Sequence, residues 1–227
     1  MTLNMQTIAS FIILSVLLLF FCSPNNYQIH VGESYIKDTK TGSFSGQSQI
    51  QNMSENLDFE TIGIYSNKNL FLDKYPVLRT YQPKHGLTFT PIAKKVNCKN
   101  GSLVKIKGKI CTSSIQYAYI KKTYSYQLLE PSTVEIVTDT WEILHHVTRE
   151  YQKIMEKLEQ QIRIDDSKLK LSTTPDWFIW YEQSNNCYLF TSFQYDLMFA
   201  ANVEFVVDSK SEKIKTVYAK QWFKGEL

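Results

Sequence analysis

The sequence contains few of the residues that interrupt regular structure, with eight glycines and six prolines among 227 residues. Collagen-like and low-complexity chains need a far larger share of both, so these classes are excluded. Hydrophobic residues make up 43% of the chain and aromatic residues 14%, which is enough to build an ordinary core. The length therefore indicates one domain of usual size preceded by a short leader.

Motifs of known catalytic, metal or cofactor chemistry are also lacking. The chain has no CxxC pair, no HExxH sequence and no phosphate-binding loop, which are the short motifs that carry a mechanism by themselves. Residues 42–46 have the spacing of a nucleophile elbow, but Phe44 stands where that motif requires serine. We predict no metal site and no cofactor, and the absence of a catalytic motif favours a protein that is not an enzyme.

Lysine and arginine are missing from the first 22 residues, and residues 8–22 are apolar and uncharged. This run is shorter than the ~20 residues that comfortably span a bilayer, and it has the length of the apolar part of a signal peptide. Phe20 and Phe21 stand where a cleavage site or a lipobox needs small residues, which argues against cleavage and against lipidation at Cys22. We predict that residues 1–22 are an uncleaved single-pass transmembrane anchor or, alternatively, a cleaved signal peptide of a secreted protein.

Cysteine is scarce, with Cys98, Cys111 and Cys187 as the only cysteines beyond the apolar segment. Cys98 and Cys111 flank Asn100 and Gly101, a dipeptide typical of hairpin turns. An extracytoplasmic location permits disulfides, so we predict a bond between Cys98 and Cys111. The alternative is that all three cysteines are small buried apolar side chains.

The pattern of the chain predicts an α+β domain, mostly antiparallel β-sheet packed on one long helix. Residues 23–40 are expected to form a linker and the first strand, and residues 41–227 a single extracytoplasmic domain. Apolar residues recur at helical spacing over residues 141–164, and Asp139 and Glu142 resemble a capping box at the start. Beyond this helix, residues 177–182, 188–197, 202–207 and 213–222 predict four antiparallel strands.

Acidic residues are absent between Asp73 and Glu130, whereas eleven lysines and arginines lie there. Residues 103–110 alternate, which places Lys105, Lys107 and Lys109 on one face of a strand. Lys99, Lys121 and Lys122 could join them from neighbouring segments. We predict that these six lysines form a positive surface for a polyanion, although a solvated sheet face is the alternative interpretation.

These observations predict an extracytoplasmic interaction protein that contacts an anionic lipid, a glycan or an acidic protein. Nucleic acid is an unlikely partner because export removes the domain from most of it. Two alternatives remain open at this stage, an exported hydrolase with an unidentified active site and a structural subunit of an envelope assembly. A buried cluster of converging acids would favour the hydrolase, and a wide lysine face would favour the binding protein.

Overall fold

A computed structural model describes residues 27–36, 47–67, 75–117, 122–162, 175–195 and 199–223. Over these described residues the protein is mostly β, with eleven strands and one helix. The elements in chain order are β1 (Gln28–Val31), β2 (Gln47–Ser48), β3 (Asp58–Ser66), β4 (Val77–Gln82), β5 (Gly86–Pro91), β6 (Leu103–Tyr117), β7 (Lys122–Thr138), α1 (Trp141–Ile162), β8 (Phe178–Glu182), β9 (Cys187–Tyr195), β10 (Phe199–Asp208) and β11 (Ile214–Phe223).

The strands belong to one continuous sheet. Its main path runs β1-β11-β10-β9-β8-β4-β3-β6-β7. Outside this path, β5 pairs with β4, and β2 pairs with β5. Strands β8 to β11 form an antiparallel succession, as the alternation of their sequences predicts. β1 adds to β11 in parallel, and β7 forms the far end of the sheet, paired with β6.

The predicted fold class, an α+β domain with a sheet packed on one long helix, is wrong. The helix occupies part of the predicted range, but the sheet is far larger than one helix can cover. Its apolar stripe, with Ile143, Val147 and Tyr151, belongs to one apolar cluster, which is formed mainly with strands β8 to β11. Most of the remaining core is made by strands and loops packing against each other. The prediction therefore gave the one helix too large a share of the core.

Two further apolar clusters contain no helical residue among the described parts of the chain. The central cluster lies against β3, β6 and β7 and comprises Ile50, Tyr65, Leu78, Ile92, Val104, Ile106, Ile110 and Leu129. The second lies on the opposite face of β8 to β10 from α1, and we call it the strap-side cluster after the short segment of residues 34–36, the strap, which packs there. It comprises Ile36, Tyr81, Leu87, Trp180, Cys187, Leu189 and Val206.

Helix α1 starts where the sequence indicates. The Asp139 side chain accepts a hydrogen bond of 3.0 Å from the Trp141 backbone N–H, which satisfies one of the unpaired donors of the first turn. The neighbouring Thr140 hydroxyl donates to the Gly101 carbonyl over 2.7 Å. The turn before β6 and the start of the helix are thereby tied together.

No helix in the described ranges is long and apolar enough to cross a membrane. The predicted single-pass transmembrane helix is therefore wrong for the part of the chain that the structure describes. Residues 1–22, on which it was placed, lie outside that part, as does most of the predicted linker over residues 23–40.

Candidate functional site

The lysine face of β6 is built around one carboxylate. Lys105 and Lys107 both bind Glu60 of the neighbouring strand β3, with Nζ to Oε distances of 2.6 and 2.9 Å. The antiparallel register places Glu60 directly opposite Lys107, so all three side chains point to the same side of the sheet. The structure thus brings two predicted site residues together, with an acidic partner that the local sequence does not reveal.

The other predicted lysines are more scattered. Lys109 lies on the same face and is flanked in register by Asp58 and Glu130 on the strands at either side. Lys99 lies in the turn before β6 and binds Asp139 over 2.9 Å. Lys121 is outside the described residues, and Lys122 is the first residue of β7. The positive region of the sequence is therefore interleaved with carboxylates in space.

These ion pairs shift the protonation equilibria of the groups that form them. Hydrogen bonds from Lys105 and Lys107 lower the pKa of Glu60, and the bond to Glu60 raises the pKa of Lys105. The pKa of Asp139 is lowered by the hydrogen bond from Lys99. All of these groups are solvent-exposed, so each pair contributes little to stability.

A cleft of about 270 Å³ opens beside Glu60. It forms because β3 pairs with β4 only from Ile64 to Ser66. The part of β3 before Ile64 is not paired with β4, which instead pairs with β8 at Thr80. The lining carries mainly hydroxyl and amide groups, with aromatic rings among them. It consists of Gln49, Phe59, Glu60, Thr61, Ile62, Thr80, Tyr81, Gln82, Tyr181 and Gln183.

The inner wall of the cleft is held by the side chain of Gln49. Its Oε1 accepts hydrogen bonds from Thr90 over 2.7 Å and from Thr61 over 3.3 Å. Its Nε2 donates to Thr80 and Thr88. Gln49 therefore ties three strands to one another, and the cleft wall is preorganised rather than free to collapse.

The predicted disulfide is not formed, since Cys98, Cys111 and Cys187 are all free thiols in this structure. Cys98 packs against the central cluster, which also contains Ile110 of β6. Cys111 follows Ile110 in the same strand, so its side chain points to the opposite face. β6 itself separates the two sulfur atoms, which sequence proximity could not show.

Two fully buried glutamates, Glu182 and Glu204, were missed by the sequence reasoning. Glu204 accepts hydrogen bonds from the Ser34 hydroxyl over 2.8 Å, the Tyr35 backbone N–H and the Asn202 amide. Burial raises the pKa of Glu204, and these hydrogen bonds oppose that rise. A single charged residue inside the otherwise mostly apolar run of β10 was the available sequence signal.

Glu182 and Glu204 are bound by the same short segment, the strap. Both carboxylates have their oxygens occupied, and neither lines the cleft beside Glu60. They hold the strap on the sheet and are not presented to a ligand in that cleft. Within the described ranges, no group of three or more His, Cys, Asp or Glu side chains could hold a metal ion.

Comparison with models of protein families, with curated proteins and with solved structures finds no match for this chain.

Proposed function

We propose that the protein is a non-catalytic, extracytoplasmic interaction protein that binds an acidic glycan at the mouth of the cleft beside Glu60. The observation that carries this proposal is the position of Lys105 and Lys107 next to a cleft lined mainly by hydroxyl and amide groups. Hydroxyls and amides form the hydrogen bonds that a sugar needs, and the two ammonium groups attract its acidic substituents. The apolar run over residues 8–22 supports the location.

Among the three partners considered, a glycan suits the cleft best. An anionic lipid needs an apolar surface for its chains, whereas the cleft presents Gln82, Gln183 and Thr61. An acidic protein needs no cleft at all. A hydroxyl-rich ligand with charged substituents uses both features, the polar lining and the lysines.

The pairing of both lysines with Glu60 does not prevent binding. The three side chains are between 40% and 57% exposed, and solvent screens exposed ion pairs of this kind, so they contribute little to stability. A multivalent anion can therefore replace Glu60 as the partner of Lys105 and Lys107 at small cost.

The hydrolase alternative has less support in the geometry of the described residues. The hydrolase hypothesis requires converging acids that reach a substrate, but Glu182 and Glu204 are buried and occupied by the strap. The proposed export also keeps nucleic acid an unlikely partner.

The experiment compares retention on immobilised heparin across a salt series. Replacing Lys105, Lys107 and Lys109 with Gln should abolish most of the retention, and the wild-type retention should fall steeply with salt. The matched control replaces three exposed lysines elsewhere, Lys210, Lys213 and Lys220, and should retain binding. Equal loss in both triple variants would reduce the interaction to net charge, and preferential binding to anionic vesicles would assign the face to lipid instead.

A further inference from the structure

Strand β7 has an outer edge that is open to solvent over its second half. β7 is the last strand in the sheet order. It meets other described segments in its first half, through a bridge from Leu129 to Ile92, a bond from Ala93, and hydrogen bonds between the Gln127 side chain and the Met53 backbone. From residue 132 to residue 137 every side chain is exposed, on both faces. We call residues 132–137 the open edge.

The protection that natural edge strands carry lies only at the two ends of the open edge, where the β6–β7 register shifts beside Ser132 and Val137 and where Pro131 precedes it. The residues of the open edge are Ser, Thr, Val, Glu, Ile and Val, with one charge, no proline and four β-branched side chains. The side chains of Ile136, Val137 and Val134 are 54%, 48% and 39% exposed. At the other end of the sheet, β1 has only four residues. Exposed edges with apolar side chains and little charge add strands from other chains, which is why most proteins block them.

The two faces of the open edge differ in chemistry. Val134 and Ile136 lie opposite Ile106 and Val104, which belong to the central cluster. A partner strand would extend that apolar surface if it placed apolar side chains beside them. On the other face lies Glu135, opposite Lys105, whose own ion pair is formed with Glu60 on the far side.

The charges of β7 argue against a second copy of this chain as the occupant. Glu130 and Glu135 lie on the same face, opposite Lys109 and Lys105, four residues or ~13 Å apart along β6. Residues 123–138 contain these two acidic residues and no lysine or arginine. A second copy of β7 would bring carboxylates towards carboxylates, which disfavours self-pairing.

We propose that the open edge is a β-augmentation site for an extended segment of a partner protein in which apolar residues alternate with basic ones. Backbone hydrogen bonds along residues 132–137 supply the pairing. Val134 and Ile136 select apolar side chains on one face, and Glu130 and Glu135 select basic side chains on the other. Glu130 and Glu135 adjoin Lys109 and Lys105 of the lysine face, but the open edge does not line the cleft beside Glu60, so peptide binding and heparin binding are measured separately.

The test uses the full chain and a synthetic eight-residue peptide with valines on one face and two lysines four positions apart on the other. We expect saturable binding and slower hydrogen exchange of the backbone amides of residues 132–137. A peptide with glutamates in place of the lysines should bind at least tenfold more weakly. Glu135→Lys should reduce this preference at least tenfold.

The decisive variant is Val134→Lys with Ile136→Lys, which places charges on the open edge and should weaken peptide binding at least tenfold. Both side chains are exposed, so the fold should persist and circular dichroism checks it. Val31→Lys, an exposed apolar position on the opposite edge strand β1, is the control and should bind normally. The proposal is wrong if the lysine peptide does not bind the wild-type protein, or if the double variant binds it as tightly as the wild type does. Dimerisation of the free protein that the double variant abolishes would also overturn it, because it would assign the edge to a second copy.

Discussion

The hydroxyl of Tyr35 donates a hydrogen bond of 2.7 Å to the Glu182 carboxylate, although 147 residues separate the two in sequence. The backbone N–H of Tyr35 is bonded to Glu204, so one residue of the strap joins both buried glutamates. The strap lies beside Trp180 and Leu189 in the strap-side cluster. Removing either carboxylate contact should therefore loosen the segment that follows β1.

Replacing Tyr35 with Phe should lower the free energy of unfolding by about 1–2 kcal/mol, because the Glu182 carboxylate loses one donor in a buried setting. Burial and the bond to Glu182 raise the pKa of the Tyr35 hydroxyl, so it remains a proton donor over the ordinary pH range. Urea unfolding at neutral pH measures the change. The partner variant Glu182→Gln completes a double-mutant cycle, and a coupling energy near zero would show that the bond contributes nothing.

The stability of the protein should depend on pH through Glu204. Burial raises the pKa of this carboxyl above its ordinary value of 4.5, so the folded state keeps a proton that the unfolded state has lost. The contribution of Glu204 to the free energy of unfolding is complete below pH 4.5. It is lost as the pH rises to the raised pKa, by up to about 1.4 kcal/mol per pH unit.

Urea unfolding across this range should show a smaller loss of stability with rising pH in Glu204→Gln than in the wild type. The slopes are compared because Gln also changes the hydrogen bonds to Ser34 and Tyr35. Glu60 and Asp208, whose pKa values are lowered, act in the opposite direction in both proteins. Parallel curves for the two proteins would rule out the assignment to Glu204.

Gly108 should not tolerate alanine. A methyl group at this position would lie 2.0 Å from the Glu130 carbonyl oxygen, where the β6–β7 register shifts. The clash is with backbone, which cannot rotate away, so Gly108→Ala should cost about 1–3 kcal/mol or more of unfolding free energy. Gly63→Ala, whose nearest contact is a Thr80 methyl group at 2.9 Å, should cost less. A smaller loss of stability for Gly108→Ala than for Gly63→Ala in thermal or urea unfolding would contradict the predicted clash at the register shift.

Sequence alternation predicted the faces of β6 because it is a local property. Val104 and Ile106 are buried, and Lys105 and Lys107 point to the opposite face, as a period of two requires. The second half of β7 was not predicted, because the exposed run from Val134 to Val137 does not alternate in the usual way.

Contacts between distant segments account for what the sequence could not show. Glu60 meets Lys105 only because β3 pairs with β6, and Tyr35 meets Glu182 only because the strap crosses the sheet. The cleft beside Glu60 depends on where β3 and β4 diverge, which no single segment encodes. The separation of Cys98 from Cys111 likewise depends on which side of β6 the preceding loop packs.

Replacing Glu60 with Gln should strengthen heparin binding, because it removes the one carboxylate that occupies both Lys105 and Lys107. The change leaves two exposed ammonium groups free to meet sulfate groups, and we expect elution from heparin at higher salt and an affinity several-fold above wild type. Asp208→Asn is the matched control, since it also frees an exposed lysine, Lys215, but away from the cleft. If both variants bind more tightly by the same factor, net charge explains the gain. If Glu60→Gln binds no better than wild type while the triple lysine variant still loses retention, the glycan does not displace Glu60 from Lys105 and Lys107, and that part of the proposal is wrong.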